Sequence, residues 1–252
     1  MRQIRDYIQK YLRYAWYVLV AWLVVQTLLQ GNVTPWAPLW ILLAHYVWYM
    51  LGFEVGYHRL FSHRSFQTNI LIKKLLAIIG TLLDHPTLPV WVHHHRLHHA
   101  GSDKKEDPYD VTPYKNNLLG YLFNNKNLHL NDRFKIAEFD TTFYRIIMDY
   151  QFVIIWLFSV PMIGLFGVEN FLIFYAIPSI ISKYFQGIAN YISHQGEYRG
   201  FDFSQNLWWL EFTSPGMGFH GDHHDRAGHP IYSIKHPNLD MSGWVIRLIR
   251  KR

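Results

Sequence analysis

The chain has no cysteine in its 252 residues. That absence excludes disulfides, thiolate-held zinc, iron–sulfur ligation and cysteine nucleophiles, so any bound metal must be held by nitrogen or oxygen. Acidic residues are fewer than basic ones, 18 against 24, giving a formal net charge of +6. No nucleic-acid-binding motif accompanies that charge, which suits an anionic membrane face instead. A His-Pro-Gly-Gly haem anchor is missing. Gly216-x-Gly218-x-x-Gly221 matches a dinucleotide fingerprint only in its letters, since it neither follows a strand nor opens a clear helix.

Histidine, by contrast, is abundant. Of 16 in the chain, five fall between His93 and His99, and each buried imidazole carries a nitrogen that needs a partner. On a helix His95, His98 and His99 share one face, and the same spacing returns at His220, His223 and His224. Chance predicts roughly 0.06 occurrences of His-x-x-His-His in such a composition. The repeated spacing therefore points to metal ligation.

The apolar residues come in blocks. Tyr14 to Leu29 and Trp36 to about Tyr57 flank a turn at Gly31 to Pro35 and read as a helical hairpin; a signal peptide is the rival reading of the first block. Tyr150 to Val168 and Phe171 to Ile192 form a second hairpin around Gly167 to Asn170. Between them Ile70 to Val92 is interrupted by Lys73, Lys74, Asp84, His85, Pro86 and Pro89, leaving Leu75 to Leu83, too short to cross and read as interfacial or re-entrant. The fold class is thus all-α and integral to the membrane. Four spans, at about 14–29, 36–57, 150–168 and 171–192, stand in two hairpins beneath a helical cap, 58–149 and 193–252, within one domain, 1–252. Lys and Arg number four before the first span, twelve between the hairpins and eight from Lys183 onward, with none in either hairpin loop. By the positive-inside rule both termini and the cap are cytosolic. The tail Trp244 to Arg250 is amphipathic and suits the membrane face.

This topology puts His58 and His63, the His95 group, His194 and the His220 group on one side. Asn190 and His194 share a helix face, continued inward by Gln186. His58 and His63 are about 140° apart on an α-helix, so they approach a metal from different angles or sit at a frayed end. Nine candidate ligands (His58, His63, His95, His98, His99, His194, His220, His223 and His224) exceed the four of a tetrahedral zinc. Two metals of higher coordination number fit better, and imidazole alone does not name them. Glu54, one turn before His58, is a candidate acceptor for a ligand imidazole. His45 reads as a packed or hydrogen-bonded helix residue. His85, His129, His229 and His236 read as surface residues, Asp103 to Asp107 as a solvated loop, and Trp208 and Trp209 as core or interface anchors.

Four stretches carry a family resemblance: His58-Arg59-Leu60-Phe61-Ser62-His63, His95-Arg96-Leu97-His98-His99, Asn190-Tyr191-Ile192-Ser193-His194 and Gly218-Phe219-His220-Gly221-Asp222-His223-His224. Together with Gly80-Thr81-Leu82, Asp107-Pro108 and Asn206-Leu207-Trp208-Trp209, they resemble membrane fatty acyl desaturases of the stearoyl-CoA, delta-9 type over residues 36 to 250. The resemblance implies two iron ions (a di-iron centre) held by the nine His, with a further ligand water held by Asn190. It also implies oxygen-dependent introduction of a cis double bond into an acyl-CoA, acyl-ACP or acyl-lipid substrate, with electrons from a ferredoxin or cytochrome b5. Gly216-Met217-Gly218 departs from the family's Gly-Glu-Gly, and Tyr109 stands where a His often follows Asp-Pro. His93 and His94 are additional to the pattern. A hydroxylase or ketolase on the same scaffold is the runner-up, and a His-rich membrane metal transporter or sensor the reading from another class. Along span two, Met50 lies roughly 12 Å and Tyr46 roughly 18 Å below His58 at 1.5 Å per residue, so Tyr46, Val47 and Met50 are candidate acyl-tunnel residues.

Overall fold

The computed structural model describes residues 2–31, 33–124 and 137–251. His129 lies outside them. The described residues are helical, with a single isolated bridge, Thr68 to Arg250, and no strand. Three helical runs are long and apolar enough to cross a membrane: Gln3–Gln30, Ala37–Ser62 and Gln151–Ser193. The first lies within α1 (Arg2–Gln30). The second is α2 (Ala37–Trp48) continued without a break as a π-helix, Tyr49–Ser62. The third comprises α7 (Gln151–Phe171), a π turn and α8 (Ile177–Ser193). It is broken at Gly167, whose φ of 82° and ψ of 166° interrupt the helix, a conformation that glycine reaches at low cost.

Apolar side chains cover the outside of these runs. Val18, Trp22, Leu28, Leu43, Val47 and Leu165 are all exposed, as expected where lipid replaces water. Polar groups point inward and pair between helices, because an unmet donor in hydrocarbon costs several kcal/mol. Trp16 Nε1 donates to Ser159 Oγ (3.1 Å) and Trp156 Nε1 to Leu12 O (2.9 Å), tying α1 to α7. His45, expected to be a hydrogen-bonded helix residue, joins α2 to α8 at Ser182 Oγ (3.0 Å).

The interrupted apolar stretch folds as two helices, α3 (Ile70–Leu82) and α4 (Leu88–Ala100). Asn69 caps α3 by accepting from Leu71 N (2.8 Å), and Pro89 sits in the first turn of α4, where its missing N–H costs nothing. α3 crosses the π-helix at Gly80 and Gly52, where a Cβ on Gly80 would overlap the Tyr57 ring and lie 2.8 Å from Gly52 O. This contact aligns α4, and with it the His95 group, against the end of the π-helix. Shorter helices α5 (Leu118–Asn124), α6 (Thr142–Asp149), α9 (His220–Asp225) and α10 (Met241–Ile249) complete the cap. α10 buries Ile246 and exposes Trp244 and Leu248, the amphipathic division read in the tail.

The crossing predicts a steep cost for any side chain at residue 80. Gly80→Val is expected to destabilise the protein by about 1–3 kcal/mol, as overpacking does, seen as a lower unfolding midpoint in detergent. Gly164→Ala, where a Cβ meets nothing within 4 Å and alanine suits a helix better than glycine, is expected not to lower the midpoint.

Candidate metal centre

The nine candidate histidines gather into two groups, each with its ligand atoms within 4.8 Å of one another: His58, His63, His95, His99 and His223 in one, His98, His194, His220 and His224 in the other. His93 and His94 belong to neither. The π-helix explains how His58 and His63 meet despite a spacing that suits an α-helix badly. Its hydrogen bonds join residues five apart, and His63 N donates to His58 O (3.1 Å), so both rings lie on one side with centroids 4.9 Å apart. The α4 spacing behaves as an α-helix should, and divides: His95 and His99 enter the five-histidine group while His98 turns to the other.

Within each group the Nε2 atoms converge. His58 and His223 approach to 3.0 Å, His63 and His95 to 2.7 Å, His99 and His223 to 2.9 Å, and His194 and His220 to 2.9 Å. The Nε2 atoms of His98 and His224 are buried with no protein partner. Adjacent ligands bound at about 2.1 Å to one metal ion stand about 3 Å apart. The donor set and its spacing therefore fit two metal ions, one per group.

The other ring nitrogen of four histidines is fixed by a carboxylate. His58 Nδ1 donates to Glu54 Oε2 (2.8 Å), His98 Nδ1 to Asp107 (2.8 Å) and His194 Nδ1 to Asp103 Oδ2 (2.9 Å). His224 Nδ1 lies 2.6 Å from Asp202 Oδ2. With Nδ1 protonated, each Nε2 keeps its lone pair for a metal. Burial, and then the proximity of other imidazoles, holds His63, His95, His99, His220, His223 and His224 well below the ordinary imidazole range, so these rings stay neutral and able to ligate. Burial pulls His98 down as well, but the Asp107 carboxylate outweighs it and the net shift is upward.

Glu54 is itself held. Arg59, wholly buried, donates from Nε to Glu54 Oε1 (2.8 Å) and from Nη1 to Asp240 Oδ2 (2.6 Å). Its guanidinium lies 3.7 Å from the Tyr232 ring centroid, and Tyr232 stacks on His223 at 4.1 Å. Trp91 stacks on His95 at 4.6 Å. Gly216, at φ 96°, packs so tightly on Glu54 that a Cβ there would overlap it. Where the family pattern's Glu is replaced by Met217, Glu211 supplies a carboxylate from upstream and accepts from Gly216 N and Gly218 N (3.0 Å each). Asn190 lies one turn before His194 and donates to Tyr121 OH (3.0 Å). Tyr109 packs its ring against His98 at 5.6 Å.

Several expectations are corrected. The Asp103 to Asp107 stretch is a solvated loop only at Lys104, Lys105 and Glu106; its two end aspartates are partners of His194 and His98. His85 is buried rather than on the surface, its ring 4.6 Å from Phe53, and burial lowers its pKa to about 3. His229 and His236 are exposed as expected, and Trp208 and Trp209, read as core or interface anchors, are exposed, which leaves the interface reading. Val47 stands on the outer exposed face of α2, while Tyr46 and Met50 are half-buried. An α-helical face read back from His58 does not hold through Tyr49–Ser62 because the π-helix has a different period; Tyr49 and Phe53 are among its many buried positions. Arg59, Asp202, Tyr232 and Asp240 carried no signal of their own, although a buried arginine inside a histidine box invites a search for its carboxylates.

Helical runs long and apolar enough to cross a membrane, set against two adjacent histidine groups that could each hold a metal ion, describe a membrane-associated, metal-binding protein. The chain belongs to the fatty acid desaturase family, whose model, fatty acid desaturase, matches residues 34–236. It is 27% identical over 222 residues to the sn-1 stearoyl-lipid 9-desaturase of Anabaena variabilis, covering 85% of this chain and 81% of that one. It is similar to the sn-2 palmitoyl-lipid 9-desaturase of Nostoc sp. (strain 36), at 26% identity over 86% of this chain and 81% of the relative. The Acyl-CoA 5-desaturase AL21 of Anemone leveillei matches at 24%, over 92% of this chain and 75% of its own length.

The carboxylate partners should matter to metal affinity without being ligands. Asp107→Asn is expected to weaken metal binding about 10–100-fold in chelator competition, and Lys105→Ala to leave it unchanged. Equal affinities in the two variants would show that Asp107 does not set the His98 ring.

Proposed function

We propose that this protein is an oxygen-dependent acyl desaturase that places a cis double bond, at or near the delta-9 position, in a saturated acyl chain, with the whole of 1–252 acting as one domain. The convergence of nine imidazoles into groups of five and four carries the reading, supported by the activities named for its relatives. We assign one iron to each group, with Asn190 holding a ligand water beside His194. When bound, the irons supply activation of dioxygen with two external electrons and two protons, so that adjacent methylenes lose two hydrogens and two waters leave. The protein's own share is to orient and to exclude water. Glu54, Asp103, Asp107 and Asp202 keep the Nδ1 protons in place, and Trp91 and Tyr232 hold His95 and His223 by stacking. We assign the supply of electrons to a carrier such as a ferredoxin or cytochrome b5.

The run Gln151–Ser193 has 43 residues, about 65 Å of helix against about 30 Å of hydrocarbon, and Gly167 breaks it near the middle. That length supports two crossings there, four in all, in two hairpins. The placement of Lys and Arg supports a cytosolic cap and cytosolic termini. A cleft of about 770 Å³ between the start of α1, the Asp84–Thr87 linker and α8 is lined by Gln9, Arg13, Asp84, His85, Gln151 and Lys183. His85 at its floor touches Phe53, whose ring lies 4.8 Å from Trp91 and 6.3 Å from His58, so one aromatic layer separates cleft from metal centre. We assign the polar end of the acyl substrate, as acyl-CoA, acyl-ACP or acyl-lipid, to this cleft. Tyr46 and Met50 are proposed for the acyl tunnel; Val47, exposed, is not.

Purified protein is expected to contain about two irons per chain, as ligand type and number imply, with most iron lost in His98→Ala and His223→Ala and kept in His93→Ala. Lipid analysis of a desaturase-deficient host should show a new cis-monoene with the parent chain and none with either ligand variant. A hydroxylated product, or turnover by the isolated protein without any carrier, refutes the assignment. A C-terminal reporter active only on the far side of the membrane refutes the topology.

A further inference from the structure

The segment that leads into His220 does not stay at the level of the metal centre. Leu207 N donates to Gly218 O (2.8 Å), closing a hairpin whose ends lie beside His220. Away from that closure the hairpin runs down α2. Gly216 packs on Glu54, four residues before His58, and the carbonyl of Thr213 accepts the Nε2 proton of His45 (2.9 Å), thirteen residues before His58. His45 also meets Ser182, twelve residues before His194 on α8. At about 1.5 Å per residue, both helices put the hairpin tip roughly 15–20 Å below the histidine groups. Half the hydrocarbon thickness of a bilayer is about 15 Å.

The hairpin's sides match such a depth. Leu210 and Glu211 turn inward, whereas Trp208 is 63% and Phe212 74% exposed. Trp208 is next to the closure and Phe212 next to the tip, which is the order of side chains favoured at a headgroup layer and in the hydrocarbon beneath it. Leu42, Leu43 and Val47 on α2 are exposed as well. Irregular backbone survives in hydrocarbon only where its polar groups are answered within the protein. Here Leu210 N donates to Leu207 O, Thr213 N and Ser214 N to Leu210 O, Met217 N to Ser214 O, and Gly216 N and Gly218 N to Glu211. Pro215 has no donor, and His45 answers the Thr213 carbonyl.

We propose that Leu207–Gly218 is a re-entrant membrane segment whose outer face, Trp208 and Phe212, contacts lipid acyl chains of the cytosolic leaflet. This inference rests on reading Ala37–Ser62 as a membrane crossing with the metal centre at its cytosolic end. The absence of cysteine allows single-site spin labelling of the full chain. Phe212→Cys, Trp208→Cys, Val47→Cys and Tyr198→Cys, labelled with a nitroxide in phosphatidylcholine vesicles, would be compared for collision with dissolved oxygen and with water-soluble chromium oxalate. Trp209→Cys serves as a second probe of the same face should Phe212→Cys not fold. The expected oxygen-to-chromium ratio at residue 212 equals that at residue 47 and is several-fold above that at residue 198, with residue 208 between. A lipid-like residue 47 beside a water-like residue 212 overturns the re-entrant segment alone. Water-like ratios at both overturn the crossing itself, and the inference with it.

Discussion

Everything in the cap answers to one constraint: nine imidazoles, six of them buried and three half-buried, must present the same nitrogen inward. An imidazole has two nitrogens and, when neutral, one proton, so fixing that proton on Nδ1 selects Nε2 as the ligand atom. For four of the nine the structure does this with carboxylates from three stretches of chain, Glu54 on the π-helix, Asp103 and Asp107 after α4, and Asp202 after α8. Each carboxylate is negative and buried, and would be costly alone. Glu54 is offset by Arg59; Asp103 and Asp107 are offset by backbone donors, among them Phe203 N and Tyr109 N. The loops that look featureless between the histidine boxes are therefore shaped by the charge they must accommodate.

A second requirement comes from the lipid side. Helices whose outer surfaces are apolar gain little from burying more apolar surface against one another, so polar pairs and close packing set their arrangement. Trp16 with Ser159, Trp156 with the Leu12 carbonyl, Trp48 with the Phe174 carbonyl and Tyr175 with the Leu82 carbonyl supply those pairs. Gly52 and Gly80 let α3 press onto the π-helix. The metal centre is thereby attached to a frame whose contacts are specific in direction, and its geometry does not depend on the loops alone.

How much of this was legible in the sequence differs by kind of signal. The candidate ligand histidines stood out because their spacing matches a helical face, and the apolar blocks because lipid demands length, although the four spans read there fall in three helical runs. The winding of Tyr49–Ser62 was not legible: fourteen residues of π-helix have no composition of their own, and only the odd five-residue interval between His58 and His63 hinted at it. That same winding misdirected the reading of which residues lie in line below His58. Asp103 and Asp107 were hidden by their neighbours, since two lysines and a glutamate between them give the stretch the look of a solvated turn. Asp202 and Asp240 lie far along the chain from the side chains they serve, and no periodicity links residues that meet only in the folded state.

The latch between Arg59, Tyr232 and Asp240 bears on the order in which the protein can be made. Arg59 enters a dry site early in synthesis, when Asp240, one of its two counter-charges, and Tyr232, the ring it lies against, are still untranslated. His223, shared between close contacts to His58 and His99, arrives equally late. Until then the first half of the chain holds a guanidinium offset by Glu54 alone and an incomplete set of histidines. The five-histidine group therefore cannot close before α9 is made, because its last member is the one that touches two of the others.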